Sequence, residues 1–569
     1  MAEKSCGAQR RRMKGFERIR AAAVAILLLT GAPGSNTEPA SPPQPYTPEM
    51  IPSNVTAAAL SRTDALRLAP DSLTGSGIVI GAWDAGTAQA SHPEFGGRVI
   101  VPDGGAASSH ATHVAGTIMA SGSGKAAARG MAPAATLLSH DFYGDILQEQ
   151  RDAWSGYGML LSNHSWDYAE GWLFDRYDDG LWTWYGGAAN SEEADFGAYG
   201  STTRRWDQLV VDTGLIIVKS SGNERNDTGA GSAPHHHIGE PTALYTDWHK
   251  PDGDYDSIGP VGVAKNVISV GAVDAGRRMT AFSGWGPTDD GRIKPDIVTD
   301  GIGIYSTINN NGYGTMSGTS MATAVASGSL ALLIERYQWF NSSPPSPALM
   351  KALVANTAID LGNRGPDYAF GWGLLDTWAA LNIIDANGID GWPIQSATAT
   401  AGATQNFTLD VPASLDTLKV TIAWTDPAAA AGAVVALVND LDLELVDPLG
   451  AVHYPFSLAG KADPAAPATT TGPNSVDNIE QVAVDNPVAG TWQVRIRAAA
   501  IQGSQAYDMV SNVYLGAEGP LETAVLLPAS ASGTNTTAGD SGGGGGGSLD
   551  IPSLLALLFM SVAWRRRRP

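Results

Sequence analysis

Two apolar runs with no polar alternation limit what this chain can fold into. The first, GIVIGAW at residues 77–83, ends at Asp84, and the second, LIIV at residues 215–218, leads into a turn of small residues. Strands that are apolar on both faces are typical of parallel sheets covered by helices on both sides. We therefore predict an α/β fold with Asp84 at the carboxyl end of a buried strand, where open α/β sheets build their sites. Taken alone, this carboxylate can equally cap the following turn.

A serine stands at the start of a predicted helix. Residues 314–323 read GTMSGTSMAT, and the apolar run at residues 324–334 predicts a buried helix. Small residues around Ser320 allow a substrate backbone to approach, and the free N–H groups of the first helical turn favour negative charge beside its hydroxyl. A glycine-flanked serine is also a common N-cap, so a role as nucleophile requires a base and an acid elsewhere in the chain.

Two histidines and an asparagine are the next polar candidates. Residues 108–120, SSHATHVAGTIMA, predict a helix of small residues with His110 near its start and His113 almost one turn later. No glutamate stands between them as in the HExxH zinc motif, which favours a base at His110 and a packed His113 over a metal pair. Asn223 follows the second apolar run, where its amide can donate to an oxyanion or stabilise the turn.

In chain order, Asp84, His110, Asn223 and Ser320 with their flanking residues resemble the subtilisin-like serine proteases, the subtilases. The motifs that carry the resemblance are WDAG at 83–86, HATHVAGT at 110–117, SGN at 221–223 and SGTSMA at 317–322, within a match of roughly residues 52–381. The resemblance implies a subtilisin-like parallel sheet with flanking helices. It also implies a serine endopeptidase that hydrolyses peptide bonds of protein or peptide substrates.

The resemblance implies a role for each of the four residues. Ser320 attacks the scissile carbonyl, His110 takes its proton, and Asp84 orients the imidazole. Asn223 stabilises the tetrahedral oxyanion together with the backbone N–H of Ser320. The alternative is a catalytically dead subtilase-like protein that serves in binding or adhesion, and the intact set of four residues favours the enzyme.

Six further residues border the substrate in the family pattern, and one of them departs from it. They are Ser165, Trp166, Asp167, Ser220, Ser221 and Gly222. Asp167 stands where such relatives usually have glycine. Because an unpaired buried carboxylate is costly, we expect Asp167 either to project into the cleft, where it favours Arg and Lys before the cut, or to turn outward into solvent.

Other features receive plainer interpretations. Ala111 and Ala324 replace the usual glycine and proline of the family, which predicts altered packing. The Trp- and Tyr-rich segment at residues 166–206 is interpreted as cover for the substrate cleft rather than as a carbohydrate-binding platform. The HHH triplet at residues 235–237 is flanked by Gly, Ser and Pro, and we interpret it as polar residues of an exposed loop rather than as a metal site.

After residue 380 the pattern changes to short alternating strands, predicted at residues 405–411, 417–424, 442–446, 479–484 and 491–496. This predicts an antiparallel, all-β sandwich, which resembles the jelly-roll domain that follows the catalytic domain in one branch of bacterial subtilases and in the proprotein convertases. Asn439, Asp440 and Asp442 are candidate calcium ligands, although exposed turns show the same pattern. We place the catalytic domain at residues 36–384, with an N-terminal extension at 36–60, and the sandwich at 392–516.

Both ends of the sequence have the composition of sorting segments. Residues 1–35 join a basic start to a short apolar core and are typical of a secretory signal peptide, which is complete even if translation begins at Met13 rather than Met1. A Gly- and Ser-rich linker at 528–548 precedes an apolar stretch and an arginine block at 549–569. This resembles the GlyGly-CTERM tail of exported Gram-negative proteins, which an envelope sorting protease cuts. The alternative is a permanent transmembrane helix. We expect an exported protein, extracellular or at the cell surface.

Composition narrows the functional classes. The net charge of −22 becomes about −30 without the two end segments, which disfavours nucleic acid and anionic lipid as partners and favours bound calcium. The single cysteine, Cys6, lies in the signal region, so the mature chain has no disulfide, no Cys-ligated zinc and no cysteine nucleophile. We expect a monomer without a separate N-terminal inhibitor domain.

Overall fold

A computed structural model describes residues 53–68 and 70–515 of the protein. The predicted signal peptide, linker and sorting tail lie outside these residues. Within the described ranges, no helix is both long and apolar enough to cross a membrane.

Helices and strands alternate through the N-terminal part of the described chain. The helices are α1 (Asn54–Leu60), α2 (Thr63–Leu66), α3 (Ser109–Met119), α4 (Ile146–Tyr157), α5 (Ser201–Thr213), α6 (Thr319–Asn341), α7 (Pro347–Thr357) and α8 (Thr377–Asp390). The strands are β1 (Val79–Asp84), β2 (Val99–Ile100), β3 (Thr136–Asp141), β4 (Leu161–His164), β5 (Trp172–Phe174), β6 (Trp182–Trp184), β7 (Ile216–Ser220), β8 (His236–His237), β9 (Ile268–Val273), β10 (Ile297–Asp300), β11 (Ile304–Ile308) and β12 (Gly312–Met316).

Seven of these strands form one sheet in the order β10-β9-β7-β4-β1-β3-β2. Every neighbouring pair in it runs parallel. The order changes direction at β1, because β2 and β3 lie on one side of it and β4 and all later strands lie on the other. Such a switch point opens a crevice at the carboxyl ends of the strands. The predicted parallel sheet is confirmed, and Asp84 is the last residue of β1.

Both faces of this sheet are covered, which explains the uniformly apolar strands. Ile216 and Val218 of β7 pack with α3 and α6 on one face, whereas Leu215 and Ile217 pack with α4 and α5 on the other. The predicted buried helix is the centre of α6, in which every residue from Thr319 to Ile334 is buried.

Residues 394–515 form two antiparallel sheets. Their strands are β13 (Ile394–Thr400), β14 (Thr404–Val411), β15 (Thr417–Ala423), β16 (Asp440–Val446), β17 (Val452–His453), β18 (Ile479–Asp485), β19 (Gly490–Ala500), β20 (Ser504–Ser511) and β21 (Tyr514–Leu515). One sheet has the order β13-β20-β15-β18 and the other β17-β16-β19-β14-β21. Val420 of the first and Leu443 and Val494 of the second lie in one apolar cluster, so the two sheets pack face to face. The five predicted strands are present, and β13, β17, β20 and β21 are additional.

The outer face of the four-stranded sheet packs on α7. Asn356 Nδ2 donates to Thr421 Oγ1 at 3.0 Å, and Gln481 Nε2 donates to the Ala355 carbonyl at 3.1 Å. Ala423 and Val510 belong to the same buried cluster as the α/β core. The β-sandwich and the parallel-sheet region therefore share a continuous apolar core.

Candidate active site

Asp84 and His110 form a direct pair at the switch point of the sheet. Asp84 ends β1 and is buried, and His110 lies in the first turn of α3, which Ser108 caps by accepting a hydrogen bond from Ala111 N at 3.0 Å. His110 Nδ1 lies 2.9 Å from Asp84 Oδ1 and 2.7 Å from Oδ2. Burial alone lowers the pKa of the His110 ring, but the charge and hydrogen bond of Asp84 outweigh it, and the net pKa is raised. Asp84 thus orients the ring and favours its protonated form.

Ser320 lies at the same edge of the sheet, at the start of α6. Its Oγ donates to the Ser165 carbonyl at 2.9 Å, and Ser165 Oγ donates to the Ser320 carbonyl at 2.8 Å. Ser165 follows β4, whose last paired residue, His164, stands opposite Trp83 of β1. Ser165 and Asp84 are the next residues after this pair, so the residue that Ser320 contacts follows the same edge of the sheet at which Asp84 ends β1.

The helices that carry His110 and Ser320 lie side by side. Gly328 of α6 lies against Ile118 of α3. Near the start of α3, Ser306 Oγ of the β11–β12 hairpin donates to the His113 carbonyl at 3.0 Å, and the hairpin leads directly into α6. Among the described residues no hydrogen bond joins Ser320 to His110. A rotation about χ1 of Ser320 re-aims its hydroxyl, and catalytic hydrogen bonds are often formed only when substrate is present.

His113 is a packed residue rather than a second base. It is fully buried, and its Nε2 lies 2.8 Å from the Ile304 carbonyl. Burial lowers the pKa of this ring to about 4, so it is neutral at physiological pH.

Asn223 is held with its amide nitrogen available. It follows β7, and its Oδ1 accepts from Thr319 N at 2.9 Å and from Thr319 Oγ1 at 3.0 Å. Its Nδ2 makes no hydrogen bond within the described ranges. The N–H of Ser320 lies in the first turn of α6, where backbone donors have no intrahelical acceptor. These two donors can serve one oxyanion.

The serines before Asn223 brace the sheet. Ser220 Oγ donates to the Trp166 carbonyl at 3.1 Å, and Ser221 Oγ lies 3.5 Å from Ser283 Oγ. Both serines are buried. Ser220 therefore ties the end of β7 to the loop of Trp166, and Ser221 contacts the segment of Ser283. A role of Ser220, Ser221 and Gly222 in substrate binding stays a prediction.

Asp167 follows neither of the two expectations for it. Its side chain is only 9% exposed, and its Oδ2 lies 3.1 Å from Nζ of Lys219, which is fully buried. The contact is an ion pair, since this oxygen accepts no hydrogen bond from residues 53–68 and 70–515. The carboxylate is thus buried and paired instead of projecting freely into the cleft or into solvent.

Two further carboxylates crowd the same place. A Cβ placed on Gly222 meets Glu224 Oε2 at 2.7 Å and Asp167 Oδ2 at 3.4 Å, and one on Gly259 meets Glu170 Oε2 at 2.4 Å and Asp167 Oδ1 at 2.9 Å. Asp167, Glu170 and Glu224 therefore form a group, called here the acidic cluster, next to Asn223. Burial, with the added charge of Asp167, raises the pKa of Glu170 to about 10 and that of Glu224 to about 7.

Lys219, Glu170 and Glu224 were not among the site residues predicted from the sequence. Lys219 carries a signal that can be recognised, because it is the one charged residue in the buried strand β7 and such a lysine requires a partner. Glu170 and Glu224 carry no comparable local signal, since acidic residues are common in loops.

The three candidate calcium ligands have separate surroundings. Asn439 Nδ2 donates to Gln505 Oε1 at 2.7 Å, and Asn439 Oδ1 accepts from Gln502 N at 2.9 Å. Asp442 Oδ2 lies 3.8 Å from Arg497 Nη1, and Asp440 Oδ1 is buried without a partner. Calcium binding at these residues stays a prediction.

The histidine triplet at 235–237 is buried rather than exposed in a surface loop. His235, His236 and His237 are 0%, 3% and 7% exposed, because β8 pairs with β6 in a small three-stranded sheet with β5. The interpretation as exposed loop residues was wrong, since the segment at residues 166–206 folds over the triplet. Trp172 and Trp184 of that segment are fully buried against it rather than exposed as a binding platform.

A parallel α/β sheet with an Asp–His pair and a serine at its switch point has the composition of a serine hydrolase site. The model of the Peptidase_S8 subtilase family matches residues 75–373, and the chain belongs to this family. Membership of the family supports a serine protease that acts on protein or peptide substrates.

Two curated relatives and one solved structure show how far the similarity extends. The chain is 31% identical over 268 residues to the serine protease/ABC transporter B family protein tagA of Dictyostelium discoideum, over 40% of this chain and 15% of that protein. It is 26% identical to subtilisin E of Bacillus subtilis over 336 residues, 56% of this chain and 70% of that protein. The structure of the prenylagaramide maturation protease PagA covers 57% of this chain and 98% of its own, with 20% identity and a TM-score of 0.39. The chain thus spans a small part of the first relative and most of the second.

Proposed function

We propose that the protein is a serine endopeptidase that cleaves proteins through an acyl-enzyme. In this proposal Ser320 is the nucleophile, His110 the general base and acid, and Asp84 the residue that orients His110. The observation that carries it is the contact of His110 Nδ1 with both oxygens of Asp84, at 2.7 and 2.9 Å. This contact places the Nδ1 proton toward Asp84 and leaves Nε2 free to accept the proton of a serine.

The oxyanion of the tetrahedral intermediate is proposed to lie between Asn223 Nδ2 and the N–H of Ser320. Two hydrogen bonds from Thr319 to Asn223 Oδ1 support this position of the oxyanion, because they fix the plane of the amide before substrate binds. A preorganised donor of this kind contributes about 3 kcal/mol to transition-state stabilisation.

We further propose a preference for Lys or Arg immediately before the cut. The acidic cluster beside the proposed oxyanion donor supports it. Lys219 balances the charge of Asp167, and Glu170, with its pKa of about 10, is protonated at neutral pH. The excess negative charge is therefore that of Glu224, whose pKa is about 7. A cationic side chain compensates the excess negative charge, whereas an apolar one leaves it in a poorly hydrated pocket.

Export and surface sorting are proposed from composition. The basic and apolar segment at 1–35 supports export, and the glycines, apolar stretch and arginines at 528–569 support processing by an envelope sorting protease. For the sandwich, the two packed antiparallel sheets support the jelly-roll assignment. Domain limits of 36–384 and 392–516 and a monomeric state belong to the same proposal.

The test of the enzyme is covalent labelling of Ser320 with a fluorophosphonate. We expect wild type to incorporate one label and to cleave casein, and Ser320→Ala to do neither, with turnover lower by at least about 1,000-fold. The variant should stay folded, because the Ser320 hydroxyl makes one hydrogen bond, worth about 1 kcal/mol. Ser155→Ala is the control, since it removes an exposed hydroxyl of α4 and keeps the nucleophile. Turnover by folded Ser320→Ala, or wild type that never labels, contradicts the proposal; the second result favours a dead binding protein.

A further inference from the structure

Three histidines and one aspartate converge at one point beneath the insertion at 166–206. They are His235, His237, Asp247 and His249. The Nε2 atoms of His237 and His249 lie 3.3 Å apart. The Asp247 carboxylate is 3.4 Å from His235 Nε2, 3.3 Å from His237 Nε2 and 3.2 Å from His249 Nε2. Each side chain therefore directs one potential ligand atom to the same centre.

The separations between these atoms match those of a tetrahedral metal site. Zinc binds histidine nitrogen at about 2.0–2.1 Å, and two ligands at the tetrahedral angle are then roughly 3.3–3.4 Å apart. The four separations given above, 3.2–3.4 Å, are close to this value, and all the ligand atoms lie within 4.8 Å of one another. Three imidazoles with one carboxylate form a four-ligand set of nitrogen and oxygen, which suits zinc and needs no thiol.

In two of the three histidines, the position of Nδ1 beside a backbone carbonyl leaves Nε2 as the ligand atom. His235 Nδ1 lies 2.9 Å from the Ala233 carbonyl, and His249 Nδ1 lies 2.6 Å from the Asn190 carbonyl. Such carbonyls accept the Nδ1 proton and leave a lone pair on Nε2, as the second partners of metal-bound histidines do. His235 Nε2 is buried, and the part of the chain that the structure describes gives it no hydrogen-bond partner. A metal ion supplies the missing partner.

Aromatic rings fix the orientation of the imidazoles. Trp184 stacks on His249 with ring centroids 4.5 Å apart, and Tyr245 stacks on His237 at 4.0 Å. Trp172 meets His235 edge-on at 5.0 Å. Rings fixed in this way lose little further freedom when an ion binds.

His236 provides an internal contrast. Side chains alternate along β8, so His236 points away from the group that His235 and His237 join. Its Nε2 contacts Asp179 Oδ2 at 2.6 Å, and its Nδ1 contacts the Ala243 carbonyl at 2.7 Å. Both nitrogens have ordinary partners, and nothing in its surroundings calls for a metal.

We propose that His235, His237, Asp247 and His249 form a structural zinc site that fastens the insertion beside the acidic cluster. Trp172 Nε1 donates to the Lys250 carbonyl at 2.9 Å and Trp172 N to Asp252 Oδ2 at 3.1 Å, so the strand that follows Glu170 is tied to the segment that carries the ligands. Asp247 is 41% exposed and gives the ion a path from solvent. Four protein ligands leave no open position, which is typical of structural rather than catalytic zinc.

The test measures zinc in the full chain with Ser320→Ala, which removes autolysis and makes the readout independent of proteolysis. After dialysis against dilute Zn²⁺ and then metal-free buffer, we expect one zinc per chain by mass spectrometry and a tetrahedral visible spectrum after exchange for Co²⁺. Asp247→Asn and His237→Gln should each weaken zinc binding by more than about 100-fold. Loss of a group that only hydrogen-bonds a metal ligand lowers metal affinity by about 10–100-fold, and loss of a ligand itself should cost more. His236→Gln is the matched control and should bind zinc as before.

Thermal melting provides the second readout. Dipicolinate, which prefers transition metals, should lower Tm, and Zn²⁺ rather than Ca²⁺ should restore it. Absence of stoichiometric zinc and of a cobalt spectrum in the folded parent overturns the proposal. Equal loss of zinc in His236→Gln and His237→Gln overturns it too. Asp247→Asn keeps the test valid if His237→Gln fails to fold, because Asp247 is partly exposed.

Discussion

At the scale of single residues, the site depends on how each buried charge is paired. Asp84 is buried with His110, and Asp167 is buried with Lys219. Glu170 lies in the same cluster as Asp167, and no described cation pairs with it. Its burial and the charge of Asp167 therefore raise its pKa to about 10. Two aspartates near the same edge of the sheet therefore have different partners, a histidine for Asp84 and a lysine for Asp167.

The raised pKa of His110 predicts the acidic limb of the activity profile. A raised pKa means that the ring keeps its proton to a pH above the ordinary histidine value of 6.5, and the protonated ring cannot act as a base. We expect kcat/KM to fall as pH decreases through this raised pKa. Asp84→Asn removes the charge, so burial alone acts on the ring and its pKa should drop. NMR titration of His110 in Ser320→Ala, with and without Asp84→Asn, measures both values; equal values exclude the proposed effect of Asp84.

The acidic cluster predicts the residue preference. We compare kcat/KM for two peptides that differ only in having Lys or Leu immediately before the cut. The ratio of the Lys value to the Leu value should fall at least about tenfold, which corresponds to ~1.4 kcal/mol, in Asp167→Gly and in the isosteric Asp167→Asn. Since the pKa of Glu224 is about 7, the pocket gains charge as pH rises through 7, and the wild-type ratio should rise with it. Asp212→Asn, at an exposed pair with Arg151, is the control. A ratio that is unchanged in both Asp167 variants contradicts the electrostatic interpretation.

At the scale of elements, the loop before β9 joins the sandwich through a buried cation. Lys265 is fully buried, contacts the Asp426 carboxylate, and donates to the carbonyls of Pro427 at 2.7 Å and Ala436 at 2.6 Å. Asn266 Nδ2 adds a hydrogen bond to the Asp426 carbonyl at 2.8 Å. These contacts connect an element of the parallel sheet to the segment that precedes β16.

Removal of this cation should destabilise both parts together. Lys265→Met leaves Asp426 buried without its counter-charge, and breaking such a buried pair costs about 3–5 kcal/mol. The effect is measured as the midpoint of urea-induced unfolding, which is monitored by tryptophan fluorescence. Arg278→Met, which removes an exposed pair with Asp274, is the matched control and should change the free energy of unfolding by less than about 1 kcal/mol. A midpoint for Lys265→Met equal to that of the control rules out an energetic role for the junction.

At the scale of the whole molecule, net charge makes bound cations favourable. A chain with a net charge of −22 has many carboxylates without a partner of opposite charge, and an ion bound only by the native state stabilises it. This consideration applies to calcium wherever it binds, including the predicted ligands in the sandwich.

We therefore expect EDTA to lower Tm and calcium to restore part of the loss. Because EDTA also removes zinc, the melt is repeated with Zn²⁺ alone, Ca²⁺ alone and both ions. If calcium binds, Ca²⁺ should restore a part of Tm that Zn²⁺ alone does not restore. A melting curve that Zn²⁺ alone restores completely, or that exhaustive chelation leaves unchanged, refutes the calcium prediction.

The sequence by itself determined the parallel sheet and the order of the proposed catalytic residues. Uniformly apolar strands require burial on both faces, and the local motifs around Asp84, His110 and Ser320 place each residue at the end of a strand or the start of a helix. These are properties of short segments, so they can be recognised without knowing which segments meet.

Only the tertiary structure decided the partner of Asp167, the burial of the histidine triplet and the junction at Lys265. Lys219 lies 52 positions beyond Asp167, and Asp426 lies 161 positions beyond Lys265. Asp247 and His249 approach the triplet only because β8 folds against β6 and the loop after it returns. A charged or polar side chain can be solvated, paired or placed to bind an ion, and the outcome depends on atoms from distant segments of the chain. No local pattern in this sequence specifies these long-range contacts.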